Sequence, residues 1–122
     1  MLVDDFKDTR DMYAYFLSKE GFRVTLASDG QEALEKAVQL QPDLIIMDLS
    51  LPVISGWEVT RRLKADEKTC HIPIVTLSAY GEGFEAVVGC EGSLTKPCLP
   101  NVMVAEITRV LENHADSSRA GS

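Results

Sequence analysis

Five polar residues that could share one reaction each follow a short apolar run. Asp4 and Asp5 follow Leu2-Val3, Asp48 follows "LIIM", Ser78 closes "IPIVTLS", and Lys96 closes "SLTK". Three carboxylates brought together repel one another and need a cation. Oxygen ligands alone select a hard ion such as Mg2+. A lysine and a hydroxyl beside them supply one point charge and one donor, which is what a phosphoryl group requires. The central aspartate could then act as the nucleophile of aspartyl-phosphate chemistry. Taken singly, each residue has a plainer reading. Asp48 alone would cap a turn, Asp4 and Asp5 would favour a following helix through its dipole, and Lys96 would be a surface lysine.

The elements around these residues decide whether they can meet. Leu44 to Met47 shows no polar alternation, which suits a strand covered on both faces of a parallel sheet. "MLV" reads as a short first strand and "FRVTLA" as a second. "IPIVTLS" reads as a fourth, with Pro73 tolerable only at its beginning, and "SLT" as a brief fifth. Helical patterns fall between them. Asp8 or Thr9 is expected to cap a helix running to about Glu20, with Met12, Tyr15 and Phe16 turned inward and Gly21 ending it. A second helix follows "SDG" with Ala33, Leu34, Ala37 and Val38 on one face. Gly56 opens a third carrying Trp57, Val59 or Thr60, and Leu63. A last helix buries Val104, Ile107 and Leu111. Strands alternating with helices give a parallel α/β sheet with right-handed crossovers. The strand ends of such a sheet share one edge, where open α/β sheets place their ligands.

The chain has 122 residues, enough for one domain with a real core. A net charge of -7 argues against non-specific nucleic-acid binding and against an anionic membrane surface. No apolar run approaches the roughly 20 residues that span a bilayer, and "MLVDDF" does not read as a signal peptide. Cys70, Cys90 and Cys98 form no CxxC pair, which fits small free-thiol fillers in a reducing cytosol. His71 and His114 have no second ligand at metal-binding spacing. The charged alternation "RRLKADEK" reads as a solvated helix face. "MLV" looks clipped, as though residues preceded it. Residues 1–115 form the expected domain, and residues 116–122 a polar tail, the start of a linker or a cloning remnant.

At this level of detail the chain resembles the receiver domain of two-component response regulators. The resemblance runs from about Leu2 to Leu111. It rests on "VDD", "GFRVTLASDGQEAL", "PDLIIMDLSLPVISGWE", "IPIVTLSA" and "TKP" in that order. It implies a flavodoxin-like, doubly wound sheet of five parallel strands in the order 2-1-3-4-5. It also implies roles for particular positions. Asp48 matches the phospho-acceptor. Asp5, and Asp4 directly or through water, match the acidic pair holding Mg2+, with the backbone carbonyl of Ser50 as a further ligand. Ser78 matches the hydroxyl that contacts the phosphoryl group, and Lys96 the lysine that pairs with acceptor and phosphoryl in turn. Lys96-Pro97 matches a peptide bond that is usually cis in the family. The implied partner is a sensor histidine kinase or histidine phosphotransfer protein, and the implied compartment is the cytoplasm. An effector domain in the same full-length chain is possible on this resemblance, and neither direct nucleic-acid nor membrane binding is expected. Such a domain catalyses its own phosphorylation and dephosphorylation without being a conventional enzyme.

Two departures stand out. Ser93, with Leu94 next, occupies the place where the family usually has the tyrosine or phenylalanine that moves with the hydroxyl residue. The interval from Ser78 to Lys96 is also several residues shorter than usual, which implies a shortened fourth helix in the glycine-rich "EGFEAVVGCEG". Tyr80 and Phe84 are the nearby aromatics, and packing over that segment is their expected role. Three functions are therefore weighed: a phosphorylatable switch or relay, a receiver-shaped interaction module independent of phosphorylation, and a small enzyme or electron carrier on the same fold. The last is disfavoured because "DDFKDT" is acidic where a flavodoxin needs an anion-binding loop, and Asp48-Leu49-Ser50 lacks the second aspartate of a DxD hydrolase.

Overall fold

Alternate residues of the central apolar run serve opposite faces of a sheet. In the computed structural model of the chain, Leu44 and Ile46 join one buried cluster while Ile45 and Met47 join another. The structure describes residues 1–79 and 90–120, with side chains through residue 114. The described elements are β1 (Leu2–Val3), α1 (Lys7–Lys19), β2 (Leu26–Ala27), α2 (Gly30–Leu40), β3 (Ile45–Asp48), α3 (Gly56–Ala65), β4 (Ile74–Ala79), β5 (Gly92–Lys96) and α4 (Pro100–Ala120). All strand pairs are parallel, and the five strands lie in the order β2-β1-β3-β4-β5. That is the doubly wound order expected. The shortened fourth helix, with Tyr80 and Phe84, falls outside the described residues.

Two helical layers cover the sheet. Tyr13 and Leu17 of α1 pack with Met103, Ile107 and Val110 of α4 over Leu2, Ile46, Val75 and Leu77. Ala33 and Ala37 of α2 pack with Val59 and Leu63 of α3 over Val3, Ile45, Met47 and Ile74. Small residues let α2 and α3 approach closely. Asp29 and Ser55 cap them, each side chain accepting a hydrogen bond from the amide three residues on. Among the described residues no helix is long and apolar enough to cross a membrane.

The structure corrects several local expectations. Helix α1 begins at Lys7 after Phe6, and neither Asp8 nor Thr9 caps it. The Asp4 carboxylate instead accepts from the Phe6 amide at 2.9 Å, so the chain is turned by the residue at the strand end. Met12, Tyr15 and Phe16 are exposed, while Tyr13 and Leu17 face the core. Residues 12–17 are apolar all round, so helical periodicity could not choose the face. In α4 the buried stripe is Met103, Ile107 and Val110, with Val104 and Leu111 only flanking it. The backbone of α4 also continues through Ala120, because no glycine or proline interrupts it between Pro100 and Gly121. The ladder of "FRVTLA" is limited to Leu26–Ala27.

Candidate functional site

The sheet order reverses on either side of β1, so the carboxyl ends of β1 and β3 lie next to each other at a topological switch point. Register places Val3 beside Met47, which sets the next residues, Asp4 and Asp48, side by side. One carboxylate oxygen from each of Asp4, Asp5 and Asp48 lies within 4.8 Å of the others. Asp48 is 0% exposed and Asp4 1%, while Asp5 is open to solvent. His71 and His114 belong to no such group among the described residues.

One cation reaches this cluster from β5. Lys96 Nζ donates to Asp48 Oδ2 at 3.0 Å, and the Ser50 amide donates to Asp48 Oδ1 at 2.9 Å. The Lys96 side chain is about a third exposed (32%), which leaves room for its ammonium to move. The Lys96-Pro97 peptide bond is cis. Ser78 lies at the end of β4, one residue past Leu77, the register partner of Asp48, and itself opposite Thr95. Thus all the sequence-predicted positions occupy one edge. Ser50 follows in the loop beyond β3.

The cluster is electrostatically unbalanced. Asp4 Oδ1 accepts from the Phe6 amide, but buried Asp4 Oδ2 has no hydrogen-bond partner. Burial, aided by the neighbouring charges of Asp48 and Asp5, raises the Asp4 carboxyl above its ordinary value; the Phe6 amide and Lys96 oppose this. One ammonium cannot neutralise three carboxylates. A small divalent cation beside that ammonium can, and the unpaired Asp4 oxygen and the all-oxygen donor set fit Mg2+.

The loop from β3 to α3 is built around contact with the Asp48 backbone. A Cβ added at Gly56 would collide with the Asp48 carbonyl oxygen and the Leu49 Cα. The Gly56 amide donates to the Leu49 carbonyl at 3.1 Å, closing the loop. Val53 within it has φ +65° and is fully exposed. That left-handed conformation is unfavourable for a β-branched residue. Trp57 is half-buried at the start of α3.

Sequence reasoning missed two features. Tyr13 of α1 donates its phenol proton to the Cys98 carbonyl at 2.7 Å, in the loop that follows Lys96. Lys64, read as part of a solvated face, is 15% exposed and donates to Glu91 Oε1 at 2.6 Å and to the Ile72 carbonyl at 2.8 Å. Neither partnership leaves a local sequence signal. All three cysteines are free thiols, Cys70 exposed and Cys98 buried.

Comparison with known proteins agrees with this fold. The family model for the response regulator receiver domain matches residues 1–108. The chain is 40% identical over 115 residues to the phosphate regulon transcriptional regulatory protein PhoB of Pseudomonas aeruginosa, covering 91% of this chain and 50% of PhoB. It is 37% identical over 101 residues to the polar-differentiation response regulator DivK of Brucella ovis, covering 80% of this chain and 82% of DivK. The solved structure of chemotaxis protein CheY4 of Vibrio cholerae superposes with a TM-score of 0.82 at 32% identity, over 89% of this chain and 94% of CheY4. The chain belongs to the response regulator receiver domain family of two-component signalling. It spans about half the length of the transcriptional regulators it matches, at 50% and 48%.

Proposed function

We propose that this receiver domain accepts a phosphoryl group on Asp48 from the phosphohistidine of a sensor kinase or phosphotransfer protein. The observation that carries the reading is the gathering of Asp4, Asp5 and Asp48 around one edge, with buried Asp48 paired to Lys96. In the transfer, an Asp48 carboxylate oxygen forms a bond to phosphorus as the bond from phosphorus to the donor imidazole nitrogen breaks. The nitrogen keeps the electron pair. Lys96 can follow the charge from the carboxylate to the phosphoryl oxygens, and the Ser78 hydroxyl can donate to one of them. Asp4, Asp5 and Asp48 would hold Mg2+ with the Ser50 carbonyl. The ion would supply charge neutralisation for the incoming phosphoryl oxygens. Residues 1–115 form the signalling unit in this reading, its setting is the cytoplasm, and an effector domain in a longer chain is its natural output.

A second reading concerns output and is favoured by Ser93. This residue is exposed on β5, and its amide is taken by Glu106 Oε2 at 3.2 Å. A side chain this small cannot fill space vacated by movement at Ser78. The receiver would then act through docked partners rather than an aromatic switch, and the exposed apolar residues Phe6, Met12, Tyr15 and Phe16 along α1 suit such docking. Acetyl phosphate with Mg2+ and intact-mass measurement tests the primary reading. One phosphoryl adduct per chain is expected, lost with chelator and lost in Asp48→Asn. An adduct indifferent to both overturns it.

A further inference from the structure

Lys96 stands at the last rung of the β4–β5 ladder, paired in register with Ala79. Beyond it the chain leaves the sheet, crosses Pro97 and Cys98, and enters α4 at Pro100. The lysine side chain is partly open to solvent, so its own burial does not fix it on Asp48. The Lys96 backbone is held on one side by the ladder and on the other by this loop. The Leu99 carbonyl is used by α4 itself, accepting from the Val102 and Met103 amides. The Cys98 carbonyl is turned the other way, onto the Tyr13 hydroxyl at 2.7 Å. That bond joins residues 85 apart in sequence and lies in the buried interior.

The far end of the same helix is tied to the acidic pair. Asp4 Oδ1 accepts from the Phe6 amide, and the Arg10 guanidinium donates to the Asp4 carbonyl at 2.8 Å. Helix α1 therefore grips Asp4 at its start and the lysine loop nearly two turns later. Tyr13, Lys96, Pro97 and Cys98 line one cavity with Asp4 and Asp5. Burial pushes the Tyr13 phenol above its ordinary value, so it remains a proton donor at working pH.

We propose that Tyr13 is a positioning residue for phosphoryl chemistry, holding the Lys96-Pro97-Cys98 backbone so that the Lys96 ammonium meets Asp48. This rests on the phospho-acceptor reading above. Tyr13 touches neither the acceptor nor the phosphoryl group. It acts through Lys96, and α1 thereby becomes a rigid strut setting the distance between the acidic pair and the lysine. A small misplacement of a charge at a reacting centre can cost about a hundredfold in rate, so one lost tether should be measurable.

The test compares Tyr13→Phe, which keeps the ring and removes the donor, with Lys96→Ala and with the double variant, all in the whole chain. Two readouts are used. The first is the Lys96 Cε–Hε cross-peak in a carbon–proton spectrum, assigned by its absence in Lys96→Ala. In Tyr13→Phe it should move toward the positions of solvent-exposed lysines; an unmoved peak overturns the proposal whether or not Asp48 is ever phosphorylated. The second is the rate of labelling by acetyl phosphate. Tyr13→Phe should lower it by about three- to tenfold, within the reach of such misplacement, while Mg2+ affinity changes less than twofold. In the Lys96→Ala background the same substitution should change the rate no further. A full additional loss there would make Tyr13 merely structural and overturn the proposal. Absence of any wild-type adduct would instead overturn the phospho-acceptor reading, leaving the cross-peak to decide the role of Tyr13.

Discussion

Among the described residues, two lysine–carboxylate pairs cross-link distant parts of this chain, one at each end of the sheet, and they are built differently. At the amino end Glu91 accepts from Lys64 Nζ with one oxygen and from the Ile74 amide with the other, both at 2.6 Å. Lys64 also bonds the Ile72 carbonyl, and the Glu91 amide bonds the Ile74 carbonyl at 2.9 Å. Every strong donor and acceptor there has a neutral or opposite neighbour. At the carboxyl end Asp48 is likewise bonded by a lysine and an amide, but Asp4 and Asp5 crowd the same space. The first pair closes a structure. The second leaves an excess of negative charge that a further cation would relieve. A lysine–carboxylate contact is thus read by what surrounds it: satisfied surroundings make a clamp, and like-charged surroundings make a site.

The sharpest way to break this comparison is to remove the clamp. Glu91→Ala leaves a mostly buried ammonium and the Ile74 amide without their carboxylate. It should lower unfolding stability by about 2–3 kcal/mol, the range for losing charge-assisted hydrogen bonds at a partly buried position. Denaturant titration measures it, and a change of a few tenths would make Glu91 an ordinary surface residue. Next in size is Asp5→Asn. Calorimetric titration should find Mg2+ affinity reduced about tenfold, or roughly 1.4 kcal/mol, with little change in the unfolding midpoint without metal. Equal affinity would place the ion elsewhere. Val53→Gly should be stabilising by about 0.5–1 kcal/mol, since glycine relieves the left-handed backbone at a net gain reduced by its greater freedom when unfolded. A loss of stability would show that the Val53 side chain makes contacts its exposure does not suggest.

Lys96→Ala carries the smallest expected effect on the fold. With saturating Mg2+ the ion would supply the missing charge, and the unfolding free energy should change by less than about 1 kcal/mol. Phosphoryl chemistry should suffer all the same. Loss of cooperative unfolding would mean that Lys96 resembles Lys64 and is structural.

What the sequence made legible follows the same division. The placement of the candidate residues was readable because each ends an apolar run, and strands alternating with helices set those ends on one edge of a parallel sheet. Sheet order came with the family resemblance, and the core of β3 with its unbroken apolar pattern. The inward face of α1 was not readable, because Met12, Tyr13, Tyr15, Phe16 and Leu17 crowd all sides of that helix. The Tyr13–Cys98 and Lys64–Glu91 bonds join residues 85 and 27 apart. Their residue types are common on helices, and nothing local distinguishes a clamp from a solvated charge. The close approach of Gly56 to Asp48 was likewise hidden: the glycine marked a helix start, but its contact with the Asp48 backbone depends on the whole β3–α3 loop.

In the proposed function the unbalanced carboxyl-edge cluster is the reactive one, with Asp48 its acceptor. The most direct measurement is to label the chain with acetyl phosphate and Mg2+, reduce the acyl phosphate with borohydride, and locate the resulting homoserine by tandem mass spectrometry of tryptic peptides. Conversion is expected at position 48, with none at Asp4, Asp5 or Asp43 and none in Asp48→Asn. Conversion at any of those other carboxylates, or no conversion at position 48 in a chain that does acquire the phosphoryl group, would contradict it.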